Sequence, residues 1–335
     1  MRRLSEADVA VFAQAHYDIG VIRAQKVTGK VYRISGAERD YLLKFFDGDD
    51  DFLMKQLYAR KEMPDSVLPV YKTRFGDWRA QDELGFAYLT DYVEQIPMPL
   101  ENRVRDYAGY LGDLHDATQV VVDKNDDEIS WLYADDYRRI EENFMLLESM
   151  MQQFEMKLSR SPFEWQVMMM YPLLYGMYRR SDESLKKFYR LLGRKKKLPL
   201  AMNHGDVNIA NVLSGSKRTH LINFEDSHFD LPSADMLTFL SYYHQSAGTT
   251  QIITDYLKSQ TDQLIVYHFF MNSLCIDLKL LVEHMSGNSL IDISLLNEKL
   301  APGLIAMSIY DEINTPKKPA DKKANSGNQK AAENP

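Results

Sequence analysis

The chain has 335 residues, 45% hydrophobic and 26% charged, with a formal net charge of -8, a size and balance that suit a two-lobed protein with a substantial core. Pro316–Pro335 sets five lysines against Asp321 and Glu333, so the whole-chain -8 less this local +3 leaves -11 for the rest, and an acidic body excludes the basic stripe that nucleic-acid binding needs. One cysteine, Cys275 in "NSLCIDLKLL", excludes an intrachain disulfide and a CxxC metal pair, fits a reducing compartment, and reads as a buried helix-core thiol.

The opening "MRRLSEADVAVFAQAHYDIG" lacks the continuous apolar run of a signal peptide, so secretion by that route is not expected. Ser5 with Asp8 three residues on resembles a capping box, and Val9, Phe12 and Ala15 follow at helical spacing, which predicts a helix ending near Tyr17. The period then changes. "KVYRI" and "YLLKFF", separated by "SGAERD", predict an antiparallel hairpin. Within it Leu42, Lys44 and Phe46 share one strand face, so Lys44 is a cation between apolar neighbours. A lone strand lysine is commonly edge decoration and gains meaning only if an anion is held beneath the sheet. "DDDFLMKQLYARKEM" predicts a helix stopped by Pro64, and "SVLPVYKT", "FGDWRAQ" and "FAYLTDYV" predict further strands.

Helices take over from "RVRDYAGYLGDLHDAT". Ile140, Phe144, Leu147, Met151, Phe154 and Leu158 step by three and four and predict one buried stripe of a long helix, in which the methionines serve as core filling. Ser161, Pro162 and Glu164 start the next helix, and "SDESLKKFYRLLG" predicts another, ended by Gly193 and followed by the basic cluster Arg194–Lys197 near its negative end. The longest apolar stretch, Val167–Tyr178, is interrupted by Pro172 and Gly176 and is short of the ~20 residues of a membrane span, so none is expected. The end of the chain, rich in Lys, Pro, Asn and Ala, is expected to be disordered.

Chemistry concentrates in "HGDVNIANVL" and the following "THLINFED", read as two brief strands around a loop. Asp206 and Asn211 stand in the D-x-x-x-x-N spacing of a protein-kinase catalytic loop, and Asn223 falls where the metal-binding D-F-G would begin. A phosphoryl group in transfer needs its nucleophile aligned, its charge offset by magnesium and its neighbouring phosphates clamped. Asp206 would orient or deprotonate the hydroxyl, Asn211 would offer an amide oxygen to Mg2+, and Lys44 would hold the α and β phosphates. A polar loop built from Asn and Asp backbone turns is the plain alternative for this motif taken alone.

"HGDVNIANVL", "LINFEDSHFDLPSADML", "YLLKFF" and "YLGDLHDAT" together resemble the aminoglycoside phosphotransferase and choline kinase superfamily, over roughly residues 17–308, and "FDLPSADML" is most similar to its spore-coat CotS group, YsxE type. The resemblance implies an α+β, bilobal protein-kinase-like fold with an antiparallel-sheet N-lobe over 1–92, a helical C-lobe over 93–312 and a tail over 313–335. It implies Asp206 as catalytic base with His204 orienting the loop, Lys44 as phosphate lysine, Asn211 as metal ligand and Asp235 as a structural acid. An adenine hinge would run through Thr90, Asp91, Tyr92 and Val93. ATP and Mg2+ would be the cofactors, a small-molecule, sugar or coat-protein hydroxyl the acceptor, coat proteins the partners, and the mother-cell cytoplasm or the spore coat the location.

Two departures from the family pattern stand out. Asn223 replaces the second metal-binding aspartate and deletes a charge, for which Glu225, on the same face if the strand persists, could substitute as a metal ligand. The helix glutamate that should pair with Lys44 falls near Gln56. The intact Asp206 and Asn211 favour a phosphotransferase; Asn223 and the absent glutamate favour a pseudokinase acting as a binding or assembly module.

Overall fold

The computed structural model describes residues 4–47, 51–215 and 218–314. The N-terminal region starts with α1 (Glu6–His16), capped by the Ser5 hydroxyl accepting from the Asp8 amide at 3.1 Å. There follow β1 (Val21–Thr28), β2 (Val31–Gly36), β3 (Asp40–Phe46), α2 (Asp51–Glu62), β4 (Val70–Tyr71), β5 (Ala80–Asp82) and β6 (Gly85–Asp91). They form one antiparallel sheet in the order β1-β2-β3-β6-β4, with β5 on β6. The expected hairpin is β2–β3, whereas β5 takes up only the end of "FGDWRAQ".

The two sheet faces have different jobs. Tyr32, Ile34, Leu43, Phe45 and Leu89 pack under α1 with Val9 and Phe12. The opposite face carries Phe46 and Tyr88 against Leu53 of α2. Lys44 is in register with Tyr88, and Leu42 with Thr90, so by strand alternation Lys44 shares this second face.

The remainder is mainly helical: α3 (Leu100–Thr118), β7 (Val120–Asp123), α4 (Asp126–Glu155), α5 (Pro162–Lys195), β8 (Lys197–Asn203), β9 (Val212–Ser214), β10 (Thr219–Leu221), β11 (His228–Asp230), α6 (Ser233–Tyr243), α7 (Thr249–Ser259), α8 (Gln263–Ser273), α9 (Leu278–Glu283) and α10 (Ser289–Asn314). Full capping boxes, Asn125 with Glu128 and Ser161 with Glu164, start α4 and α5. A large core buries Leu111, Leu114, Leu185, Phe239, Phe269 and Ile309 among others. β7 and β11 flank β8, and β9 pairs with β10. Leu221 reaches the N-terminal region through its amide, which donates to Ser66 O at 2.7 Å. The α+β, bilobal kinase-like architecture expected from the sequence is the one observed.

Several expectations are corrected in detail. The segment 162–195 is one helix rather than two: Pro172 lies inside α5, whose packing against α4, α8 and α10 outweighs a proline cost of about 3 kcal/mol. Gly193 does not end α5; Lys196 does so, in the left-handed region at φ 51°. The buried stripe of α4 stops at Phe154, because the helix closes at Glu155 and Leu158 lies beyond it, exposed. Within Gln263–Glu283 an 18-residue stretch has the mean hydropathy (1.5) of a membrane span, yet the segment is divided between α8 and α9 and 56% of that stretch is buried. Cys275 is buried, but in the link between α8 and α9 rather than within a helix, and burial pushes its thiol up to about 11. Of the tail expected from 313, Ile313 and Asn314 close α10 and the rest lies outside the described residues.

Candidate functional site

β8 delivers Asn203 and His204 into the core and then turns sharply. The turn is held by Asp235 in the first turn of α6, 2% exposed: its Oδ2 accepts from the His204 amide at 2.7 Å and its Oδ1 from the Gly205 amide at 3.1 Å. His115 Nε2 approaches Asp235 Oδ2 at 3.2 Å, with Tyr256 OH on the other ring nitrogen at 2.9 Å. Burial alone would push the Asp235 carboxyl up; the hydrogen bond and charge of His115 and the two amides outweigh it and hold the group below its ordinary value. Gly205 sits at φ +83°, and a Cβ there would fall 2.2 Å from Asp226 O, so only glycine fits. The His204 ring pairs through Nε2 with Ile222 O at 2.9 Å and packs on Phe224.

Asp206 emerges from this turn half-buried. Tyr107 OH donates to its carbonyl at 2.9 Å, Arg103 donates to Ile209 O at 2.8 Å, and Tyr243 OH accepts from the Ile209 amide at 2.8 Å. These struts from α3 and α6 escape a motif reading, because nothing in their local sequence marks them as loop supports. Asn208 caps the short turn Ile209–Asn211, which points Asn211 back: its Nδ2 donates to Asp206 O at 2.9 Å and Oδ2 at 2.8 Å.

From Asn211 the contacts continue across both lobes. Asn223 Nδ2 donates to Asn211 Oδ1 at 2.7 Å, and Lys44 Nζ donates to Asn223 Oδ1 at 3.1 Å. Lys44 also forms an ion pair with Glu225. Four side chains, 44, 223, 211 and 206, therefore lie on one unbroken run of hydrogen bonds. Asn223 has φ +63°, a left-handed conformation that asparagine adopts more readily than most residues. The strand does not persist as the alternation argument required: β10 ends at Leu221, and a turn, with Phe224 buried between them, brings 223 and 225 to the same lysine. Gln56 is buried and donates to Leu68 O at 3.4 Å, so the helix position expected to pair with Lys44 points elsewhere.

Along the edge of the cleft, Asp91 accepts from Tyr71 OH at 2.8 Å and pairs with Arg39 at 3.3 Å, while the Arg33 guanidinium lies 4.3 Å over the Tyr92 ring. Val93 packs where a Cβ on Gly215 would stand, 2.9 Å from its Cγ1. The side chains of Asp91 and Tyr92 thus serve the N-terminal sheet, and the Ile96 amide ties the following segment to Ser214 O at 2.8 Å.

Among the described residues no three His, Cys, Asp or Glu side chains converge as a metal cluster. The nearest oxygens are hard: Asn211 Oδ1, Asn223 Oδ1 and the Asp206 carboxylate follow one another along the hydrogen-bonded run, accepting from Asn223 Nδ2, Lys44 Nζ and Asn211 Nδ2. Such a set fits a magnesium ion that keeps waters and takes further oxygens from phosphates.

Comparison with solved structures supports the same architecture. An aminoglycoside phosphotransferase from Alicyclobacillus acidocaldarius aligns with a TM-score of 0.55 at 14% identity, over 93% of this chain and 97% of that one. The AMP-bound spectinomycin phosphotransferase aligns with a TM-score of 0.51 at 13% identity, over 92% and 99%. The chain has the kinase-like fold of these phosphotransferases. No protein-family profile and no curated protein sequence matches it.

Proposed function

We propose that the cleft is a nucleotide-dependent phosphotransferase site acting on a hydroxyl acceptor. The observation that carries the proposal is the continuous run from Lys44 to Asp206, which places a cation, two amide oxygens and a carboxylate in the order that phosphoryl transfer uses. Lys44 holds the α and β phosphates of ATP. Asp206 accepts the acceptor's proton as its oxygen bonds to the γ phosphorus, the bond from that phosphorus to the bridging oxygen breaks, and the electron pair leaves with ADP. Asn211 and Asn223 would hold Mg2+, which when bound offsets phosphate charge. His204, Gly205 and Asp235 fix the loop, and the segment Asp91–Val93 borders the base.

The solved neighbours are described as phosphotransferases of aminoglycosides and of spectinomycin, which supports a small-molecule acceptor over a coat protein. The spore-coat setting rests on the "FDLPSADML" resemblance alone and is tested by locating the protein in sporulating cells and in purified coats. A second reading, a pseudokinase binding module, is favoured by Asn223 and by Gln56, which leaves α2 without a carboxylate at the position expected to pair with Lys44. One experiment separates the two: transfer from γ-labelled ATP to a panel of amino sugars, amino alcohols and nucleosides, with Asp206→Asn as control. Turnover lost in Asp206→Asn supports the phosphotransferase; ATP binding with no turnover for any acceptor supports the module; no ATP binding ends the phosphotransferase reading.

A further inference from the structure

We propose that Glu225 is the positioning residue for the phosphate lysine, so that this N-lobe strand takes its orienting carboxylate from the C-lobe instead of from α2. The inference rests on the phosphotransferase reading of the cleft. Lys44 needs a fixed acceptor to present its ammonium, because its four-carbon stem carries large rotational freedom. On the face of the sheet that bears Lys44, α2 buries Leu53, Gln56 and Ala59, and Gln56 turns to Leu68 O. Of the acids on α2, Asp51 bridges Lys55 at 2.9 Å and Glu62 bridges Lys61 at 3.0 Å.

Glu225 meets Lys44 directly, and the Lys44 side chain is only 18% exposed. Its backbone is held on both sides: Phe224 before it is fully buried against the His204 ring, and Asp226 O after it closes on Gly205. The same wedge thereby anchors the carboxylate that aims Lys44 and the turn that presents Asp206. With its carboxylate on Lys44, Glu225 is not the metal ligand that would make good the charge missing at Asn223. The lysine is oriented whenever the lobes are apposed, whatever the position of α2.

The test is competitive acylation of the whole protein with acetic anhydride, read lysine by lysine by mass spectrometry, in wild type, Glu225→Gln and Glu225→Asp. A lysine released from its ion pair is freer to meet the reagent, so Lys44 is expected to label about threefold to tenfold faster in Glu225→Gln, with Glu225→Asp between the two and other lysines unchanged. Magnesium chloride without nucleotide is expected to leave wild-type labelling of Lys44 unchanged. With an acceptor in hand, Glu225→Gln is expected to lower kcat about tenfold or more while KM for ATP stays within about threefold. Lys44 labelling at the wild-type rate in Glu225→Gln, or release of Lys44 by magnesium alone, overturns the inference. Failure of ATP to protect wild-type Lys44 instead counts against the phosphotransferase reading, so the two failures are separately visible.

Discussion

Asp235 offers a quantitative test of how the loop is held. Asp235→Asn keeps the size and one oxygen but turns an amine donor toward groups that already donate: the amides of His204 and Gly205, and His115. Removing the charged partner of a buried, hydrogen-bonded set costs about 3–5 kcal/mol, which for a chain of this length lowers Tm by roughly 4–7 °C. The effect carries a pH signature. The folded-state carboxyl is held below its ordinary 3.8, so its contribution to stability is complete above the unfolded-state value and is lost as pH falls through the folded-state value. Urea unfolding of both proteins from pH 7 to pH 3 is expected to give a constant gap down to about pH 4 that narrows below it. A gap under about 1 kcal/mol at pH 7, or one that widens in acid, would refute the reasoning.

Three further outcomes follow from the same geometry. Gly205→Ala must place a Cβ at φ +83° against Asp226 O, and is expected to cost about 2–5 kcal/mol and to abolish any ATP-induced thermal shift, measured by differential scanning fluorimetry. Asn223→Asp adds a charge next to Lys44 and the amide oxygen of Asn211; a unit charge about 4 Å from a cation is worth about 4 kcal/mol at an effective dielectric near 20, so calorimetric affinity for ATP in magnesium should rise at least about tenfold over that in EDTA. Tyr243→Phe removes the acceptor of the Ile209 amide, and is expected to cost about 1–2 kcal/mol and to speed hydrogen exchange of that amide; unchanged exchange contradicts the strut role.

The parts of the site that could be read from the sequence are those written in local spacing. Asp206 and Asn211 lie five residues apart on one loop, and Lys44 declares itself by interrupting an apolar strand face. The capped starts of α1 and α5 were equally visible, because a cap is a contact within one turn. The surroundings of Glu225 are less legible, because alternation presumes a strand, whereas β10 ends at Leu221 and a left-handed Asn223 resets the direction of the chain. The continuity of α5 is hidden for a related reason: Pro172 is a strong local break signal, and only the helices packed around it show why the helix continues. Tyr107 and Tyr243 meet the loop from 99 and 34 residues away, and His115 meets Asp235 from 120, distances at which a single sequence carries no pairing signal.

Calorimetric titration of the wild-type protein with ATP, alongside Lys44→Met, addresses the claim that the cleft holds nucleotide phosphates. Saturable binding at one site per chain, weakened at least about tenfold in Lys44→Met, is the predicted result. Absence of binding in wild type and in Asn223→Asp alike, with both proteins folded, would contradict it.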